Sequence, residues 1–285
     1  MKRRDFLQQA ALGVAGVTTG LVQTNGNRLI RQGKVGVGQI HYEVHGNPKG
    51  KPLFLGFPLF PSYGQIFGEA QAVVLSGFLD RLVDRYRVLL ADYPTIGKSG
   101  TTPPTELNAD RVSADLLSVA DAAGFKRFAY WGYAWGAAAG LQLASRTKRL
   151  SALVIGGWPP LGGDYAGMLQ AARTNLPNPS PGSMAVLRNK EQYQQWVTFY
   201  ESVQNWPEAK ANAGFRFPKL VFYGADSITT TGGVTVGYAA TIRDRRRDLE
   251  ALGWRVSEIP GKGHGVGLEP ATIVPIVREF LDKAI

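Results

Sequence analysis

The stretch that decides the fold is Gly-Tyr-Ala-Trp-Gly at residues 132–136. It follows an apolar run at 127–131, typical of a buried strand, and precedes a small-residue segment at 137–145, typical of a helix. A chain that turns sharply from a strand into a helix needs very small neighbours at the corner. Its two glycines meet that need, so the sequence predicts a tight strand-to-helix turn centred on Ala134.

Apolar runs and helical patterns alternate along the rest of the chain. A half-buried strand is predicted at 39–44 from its period-two pattern, and Asn108 and Gly124 are suited to begin and end a helix over 108–123. Further strands are predicted at 52–56, 86–91, 152–155, 219–223 and 255–259, and further helices at 241–252 and 269–284. This alternation predicts an α/β fold with a mainly parallel sheet and helices on both faces.

The segment 159–216 interrupts the alternation. It is rich in proline in its first part, and its pattern predicts an amphipathic helix near its end. Because it follows a predicted sheet strand, we expect a helical cap or lid inserted into one domain that spans 25–285, placed over the carboxyl ends of the strands.

The first 24 residues have the pattern of an export signal. Paired arginines, Arg3 and Arg4, precede Phe6-Leu7 and a moderately apolar, small-residue run. That run is too short and too rich in Gly and Thr for a stable membrane span. We therefore expect a twin-arginine-type signal peptide at 1–24 and a periplasmic protein; an ordinary basic amphipathic first helix is the alternative.

Composition excludes several kinds of site. The chain has no cysteine and three histidines, which argues against disulfides, thiolate chemistry and a histidine-rich metal centre, so neither a cofactor nor a metal is expected. Its formal net charge is +10, but the densest basic run, 243–248, is interleaved with acids and fits a solvated helix face. No nucleic-acid partner is expected, and the sequence indicates no oligomeric state.

Residues 132–136 match the G-x-S-x-G nucleophile elbow except that alanine stands in place of serine. Three other parts of the chain agree with this match: Leu-Gly-Phe-Pro at 55–58, Asp-Tyr-Pro-Thr-Ile-Gly-Lys-Ser at 92–99, and the late pair Gly-Ala-Asp at 224–226 and Gly-His-Gly at 263–265. Together these segments resemble the α/β-hydrolase superfamily over residues 35–285.

The resemblance implies an eight-stranded sheet and a role for each site residue. Ala134 occupies the nucleophile position, Asp226 is the triad acid and His264 is the base. The backbone N–H groups of Phe57 and Trp135 would form the oxyanion hole. Leu55, where relatives carry a loop histidine, is a second departure from the family pattern.

Structural rather than catalytic roles remain open for several candidate residues. Asp226 is also the kind of residue that a turn after a strand uses, and Asp164 is a second candidate for the acid. Ser62 and Ser99 lie near the site in sequence, but neither is on an elbow, so we do not expect a displaced nucleophile. His41 and His45, on or just after an edge strand, are expected to be structural.

A methyl group cannot attack a carbonyl, so Ala134 disables the triad as a hydrolase. One explanation is an engineered serine-to-alanine replacement, which the retention of Asp226 and His264 favours. Another is a natural non-hydrolytic protein that binds a small apolar ligand, or a cofactor-free lyase or oxygenase that uses His264.

Aromatic residues are frequent in the cap and near the elbow. They predict an apolar pocket for a small-molecule substrate, with few charged groups. The expected function is therefore hydrolysis of a bulky, largely apolar carboxylic ester or lactone, blocked here by Ala134. The residues expected to line the pocket are Phe60, Tyr133, Trp158, Trp196 and Tyr200.

Overall fold

A computed structural model describes residues 29–36 and 38–285 of the chain. The predicted signal peptide at 1–24 lies outside the described residues. Within the described part, no helix is long and apolar enough to cross a membrane.

An eight-stranded sheet forms the centre of the fold, with strand order β1-β2-β4-β3-β5-β6-β7-β10. The β1–β2 and β2–β4 pairs are antiparallel and all other neighbours are parallel. This confirms the predicted fold class. The sheet strands are β1 (Leu29–Val35), β2 (Ile40–Gly46), β3 (Lys51–Leu55), β4 (Tyr86–Ala91), β5 (Phe128–Tyr133), β6 (Leu150–Gly156), β7 (Lys219–Gly224) and β10 (Trp254–Ile259).

Helices cover both faces of the sheet because both faces of the central strands are apolar. Phe54 and Tyr130 belong to a core cluster on one face, while Leu53 and Trp131, one position away, belong to a second cluster on the other. On the first face lie α3 (Ala109–Ala122) and α4 (Trp135–Arg146); on the second lie α2 (Glu69–Asp80) and α11 (Pro270–Ala284). A short α1 (Tyr63–Phe67) precedes α2.

The predicted ends of α3 are confirmed. The Asn108 side chain accepts a hydrogen bond from the Arg111 N–H at 2.8 Å, as an N-cap does. Gly124 follows the helix with a φ of 74°, a left-handed conformation that stops a helix without a Cβ penalty.

Helices fill the chain between β6 and β7. They are α5 (Tyr165–Asn175), α6 (Pro181–Val186), α7 (Gln194–Ser202) and α8 (Glu208–Gly214). Phe199 of α7 packs its ring 5.1 Å from that of Trp135, the first residue of α4. This segment therefore touches the residue beside Ala134.

A small hairpin and two helices separate β7 from β10. The hairpin strands β8 (Thr229–Thr231) and β9 (Val234–Val236) pair with each other rather than with the main sheet. They are followed by α9 (Tyr238–Asp244) and α10 (Arg246–Ala251). The turn between β7 and β8 directly follows the carboxyl end of β7, so it lies at the carboxyl edge of the sheet.

Two of the three histidines bind one carboxylate on β2. His41, Glu43 and His45 share a face of the strand, and each histidine Nε2 lies 3.0–3.1 Å from a different oxygen of Glu43. Lys98 Nζ lies 3.6 Å from the same carboxylate. The hydrogen bond from His45 is the largest effect lowering the pKa of Glu43, which falls to about 2 although burial opposes it. This role agrees with the structural one expected for both histidines.

Glu43 should therefore stabilise the fold in a pH-dependent way. Its folded pKa lies below the ordinary value of 4.5, so its contribution is complete above about pH 4.5 and is lost as the pH falls toward 2. We expect Glu43→Gln to lower the free energy of unfolding at pH 7 and to flatten its decline between pH 4.5 and 2, measured by urea unfolding. An unchanged pH profile would contradict this assignment.

Candidate active site

Ala134 lies at the corner between β5 and α4, in a strained backbone conformation. Its φ is 50° and its ψ is −118°, values that non-glycine residues rarely adopt. Its N–H donates to the Gly156 carbonyl at 2.9 Å and its carbonyl accepts from the Ala137 N–H at 3.0 Å. The backbone of a nucleophile elbow is thus present around a methyl side chain.

Glycine is needed on both sides of this corner because backbone atoms approach closely there. A Cβ on Gly132 would lie 2.3 Å from the Gly136 carbonyl oxygen. A Cβ on Gly136 would lie 2.1 Å from the carbonyl oxygen of Phe57, in the loop after β3. The elbow and the loop that carries Phe57 are therefore packed directly against each other.

His264 follows β10 and begins a short 3₁₀ turn, His264–Leu268. Its ring stacks on Tyr238 at a centroid distance of 4.6 Å and an interplanar angle of 22°, and it also contacts Tyr133 at 5.3 Å. The Tyr133 hydroxyl donates to the His264 carbonyl at 2.7 Å, which fixes the backbone. Burial lowers the pKa of His264 to about 4, so the imidazole is neutral at pH 7.

Ser227, rather than Asp226, faces the histidine. The Ser227 Oγ lies 2.9 Å from His264 Nδ1, and Ser227 is 1% exposed. Asp226 is exposed, and no carboxylate among the described residues is hydrogen-bonded to His264. The structure therefore differs from the expected pairing of Asp226 with His264.

The turn after β7 explains this difference. The Ser227 N–H donates to the Gly224 carbonyl at 3.0 Å, which closes a four-residue turn. Asp226, inside the turn, points outward while its N–H binds the Lys262 carbonyl at 2.9 Å. Ser227, at the end of the turn, is directed back toward the sheet.

The two expected oxyanion donors differ in their surroundings. The Phe57 N–H donates to the Tyr93 hydroxyl at 3.0 Å and is thus already engaged. Trp135 is the first residue of α4, where an N–H has no acceptor within the helix. Only one of the two amides is therefore available to a ligand oxygen.

The aromatic residues expected to line a pocket pack against each other and their neighbours instead. A cavity lined in part by Gly56, Trp131 and Gly132 encloses about 10 Å³, room for about one water molecule. Of the five residues expected to line a pocket, Tyr133 lines this cavity. Phe60, Tyr133, Trp158 and Tyr200 are buried core residues, and Trp196 is half-buried against Tyr193.

The alternative candidates have structural partners. Asp164 caps α5, where its carboxylate accepts from the Gly167 N–H at 2.8 Å. Ser62 Oγ donates to the buried carboxylate of Asp92 at 2.6 Å, and Ser99 Oγ donates to the Asp92 carbonyl at 2.6 Å. In the described part of the chain, no group of three His, Cys, Asp or Glu side chains is placed to hold a metal ion.

Comparison with known proteins agrees with this fold. The model of the alpha/beta hydrolase fold family matches residues 45–164, which include the elbow and the loop after β3. The match covers less than half of the chain, and together with the sheet topology it supports the predicted α/β-hydrolase fold.

Curated relatives match only part of the chain. Putative carbamate hydrolase RutD of Agrobacterium fabrum is 28% identical over 102 residues, 32% of this chain and 39% of that protein. The protein of the same name from Klebsiella pneumoniae is 38% identical over 76 residues, 26% of this chain and 29% of its own length. The chain therefore covers well under half the length of these relatives.

Solved structures match nearly the whole fold. An enol-lactonase from Burkholderia xenovorans superposes with a TM-score of 0.62 at 20% identity, covering 88% of this chain and 100% of its own. The carboxylesterase CesB of Bacillus subtilis gives 0.60 at 15% identity, covering 92% and 94%. At these identities the likeness establishes the shared fold.

Sequence reasoning did not identify Ser227 or Tyr93. The signal available for Ser227 was its place as the fourth residue of a turn after β7, directly beside the acid that the sequence suggested. The contact between Tyr93 and Phe57 joins residues 36 positions apart and has no local signature.

The close approach at the elbow predicts the effect of adding one methyl group. Gly136→Ala should lower the free energy of unfolding by about 2 kcal/mol or more, because overpacking against backbone costs roughly 1–3 kcal/mol. Gly214→Ala is the matched control: a Cβ there meets nothing within 4 Å at the end of α8, and stability should be unchanged or slightly raised. Equal effects in urea unfolding would contradict the packing described here.

His264 should titrate near pH 4 when its ring is followed by NMR. Because its folded pKa lies below the ordinary value of 6.5, the unfolded chain binds the proton first, and stability should fall as the pH decreases from 6.5 to 4. Ser227→Asp should raise this pKa, since a hydrogen-bonded carboxylate favours the imidazolium. A midpoint at 6.5 or above in the unmodified protein would contradict the burial of the ring.

Proposed function

We propose that this chain is a hydrolase-type protein that has lost acyl-transfer chemistry and binds a small, largely apolar ester or lactone without cleaving it. The observation that carries the proposal is the pair of side chains around His264. Ala134 stands where the nucleophile would be, and Ser227 stands where the histidine needs a carboxylate.

Each substitution removes a different part of the mechanism. Ala134 has no proton to give and no lone pair with which to attack. A carboxylate would hold the imidazole in one tautomer and stabilise its charged form, but the Ser227 hydroxyl is uncharged and both donates and accepts. With its pKa lowered to about 4, His264 is also poorly matched to removing a proton at neutral pH.

Two departures in one triad favour a natural non-hydrolytic protein over an engineered one. A single serine-to-alanine replacement accounts for Ala134 but leaves Ser227 unexplained. The weak basicity of His264 also disfavours a cofactor-free lyase or oxygenase that depends on this residue as a base.

The proposed ligand class is supported by the names of the similar proteins and by the aromatic residues beside the elbow. The similar proteins named above are a carbamate hydrolase, an enol-lactonase and a carboxylesterase, all named for acyl compounds. Trp135, Phe199 and Tyr200 are joined by ring contacts of 5.1–5.5 Å beside the elbow. Such rings favour a flat, apolar ligand over a charged one.

The proposal is tested by rebuilding the triad in two steps. Ala134→Ser alone should give at most trace esterase activity, because His264 would still lack a carboxylate. Ala134→Ser/Ser227→Asp should exceed it by about 10³–10⁴ in kcat, the usual effect of the triad acid. The assay is hydrolysis of aryl and bulky alkyl esters, and addition of His264→Ala to the double variant is the control.

Two results would contradict the proposal. His264-dependent turnover of esters by the unmodified protein would show that catalysis was never lost. Full activity of Ala134→Ser alone would show that Ser227 is not a defect and would favour an engineered origin for Ala134. Ligand retention is checked in the unmodified protein by the change in tryptophan fluorescence on adding the same aryl esters.

A further inference from the structure

We propose that the Tyr93 hydroxyl closes the oxyanion site from within, by occupying the Phe57 N–H that a substrate carbonyl would need. The inference rests on the proposed function, because it adds a third and independent obstacle to acyl transfer at the same site. The effect of Tyr93 would be present whatever residues occupy positions 134 and 227.

Tyr93 belongs to a buried chain of hydrogen bonds. The Phe57 N–H donates to Tyr93 Oη at 3.0 Å, the hydroxyls of Tyr93 and Tyr130 lie 3.4 Å apart, and Tyr130 Oη donates to the Gly136 carbonyl at 3.0 Å. The direction of the chain follows from its ends. A carbonyl only accepts, so the Tyr130 proton is committed to Gly136, the Tyr93 proton to Tyr130, and the Tyr93 oxygen to the Phe57 N–H.

Burial keeps this chain intact at neutral pH. Tyr93 is 5% exposed and Tyr130 is 0% exposed. Burial raises the pKa of both phenols above the ordinary value of 10, so both remain protonated. Every link of the chain therefore persists over the pH range in which esterases work.

The ring of Tyr93 packs against the side-chain rings of both residues whose amides are the expected oxyanion donors. It meets the Trp135 ring at a centroid distance of 5.3 Å and the Phe57 ring at 6.1 Å, both edge to face. These contacts hold the hydroxyl on the Phe57 amide and leave little freedom for the side chain to swing away.

An entering carbonyl oxygen must compete with this hydroxyl. One N–H makes one strong hydrogen bond, so the substrate would have to displace the phenol oxygen, which would then be buried without its donor. In serine hydrolases of this mechanism, each oxyanion donor contributes about 10²–10³ to kcat. Having to displace the Tyr93 hydroxyl would cancel part of the contribution from the Phe57 amide. Restoring the triad alone would thus leave the site below its full activity.

The first experiment adds Tyr93→Phe to Ala134→Ser/Ser227→Asp. Removing the phenol oxygen frees the Phe57 amide, and we expect kcat for aryl esters to rise at least about tenfold with little change in KM, because the gain lies in the transition state. Tyr86→Phe in the same background is the control. Tyr86 is also a buried phenol, bonded to Asp282 at 2.7 Å on the opposite face of the sheet, and its removal should not change kcat.

The second experiment needs no activity. In the unmodified chain, the Phe57 amide should exchange slowly with solvent deuterium, and Tyr93→Phe should accelerate that exchange at least about tenfold while Tyr86→Phe leaves it unchanged. Unchanged exchange in Tyr93→Phe would overturn the inference whatever the kinetics show.

The outcomes separate the inference from the proposed function. If the rebuilt double variant is active and Tyr93→Phe does not raise kcat, the closed oxyanion site is wrong and the lost triad stands. If no rebuilt variant hydrolyses esters but Tyr93→Phe accelerates exchange at Phe57, the contact stands and the hydrolytic ancestry of the site fails.

Discussion

The packing of the Phe57 carbonyl against Gly136 is the contact on which the site depends. Only a hydrogen at this position of the elbow helix lets the loop after β3 come so near, since a Cβ would lie 2.1 Å from that oxygen. The contact lies within the first turn of α4, two residues from Ala134, whose φ is 50°. It also brings the Phe57 amide beside the first turn of α4, where the hydroxyls of Tyr93 and Tyr130 join loop and helix.

The persistence of this strained corner without a nucleophile has a packing explanation. A non-glycine residue in such a conformation costs on the order of 1–3 kcal/mol and survives only where its surroundings over-determine it. The surroundings here constrain it on several sides, because backbone atoms pack closely against Gly132 and Gly136 and the Ala134 N–H is hydrogen-bonded to the Gly156 carbonyl. The geometry of the elbow therefore belongs to the packed core and does not require a serine at position 134.

The sequence predicted the parts of the structure that depend on local pattern. The alternation of strands and helices predicted the sheet. Asn108 and Gly124 predicted the two ends of α3, because capping and termination of a helix depend on only a few residues. The partner of His264 could not be predicted from local pattern, because Asp226 and Ser227 are adjacent and the conformation of the turn decides which one faces inward. Phenol-to-amide contacts such as Tyr93 to Phe57 depend on the packed fold, so no local pattern indicates them.

The presence of Ser227 beside His264, where a triad would have a carboxylate, also affects the electrostatics of the site. A triad with aspartate holds a negative charge beside the imidazole and attracts a proton to it. With Ser227 in that place, no carboxylate offsets the effect of burial, which lowers the pKa of His264 and leaves the imidazole neutral at pH 7. The phenol of Tyr93 is also neutral, because burial raises its pKa. Ala134 and Ser227 add no charge, so these four side chains beside the elbow are neutral. They offer no charge with which to stabilise an oxyanion or an imidazolium, and they impose little desolvation cost on a neutral, apolar ligand. Under the proposed function, Ala134 and Ser227 therefore make the site better suited to holding an uncleaved ester than to forming its charged intermediate.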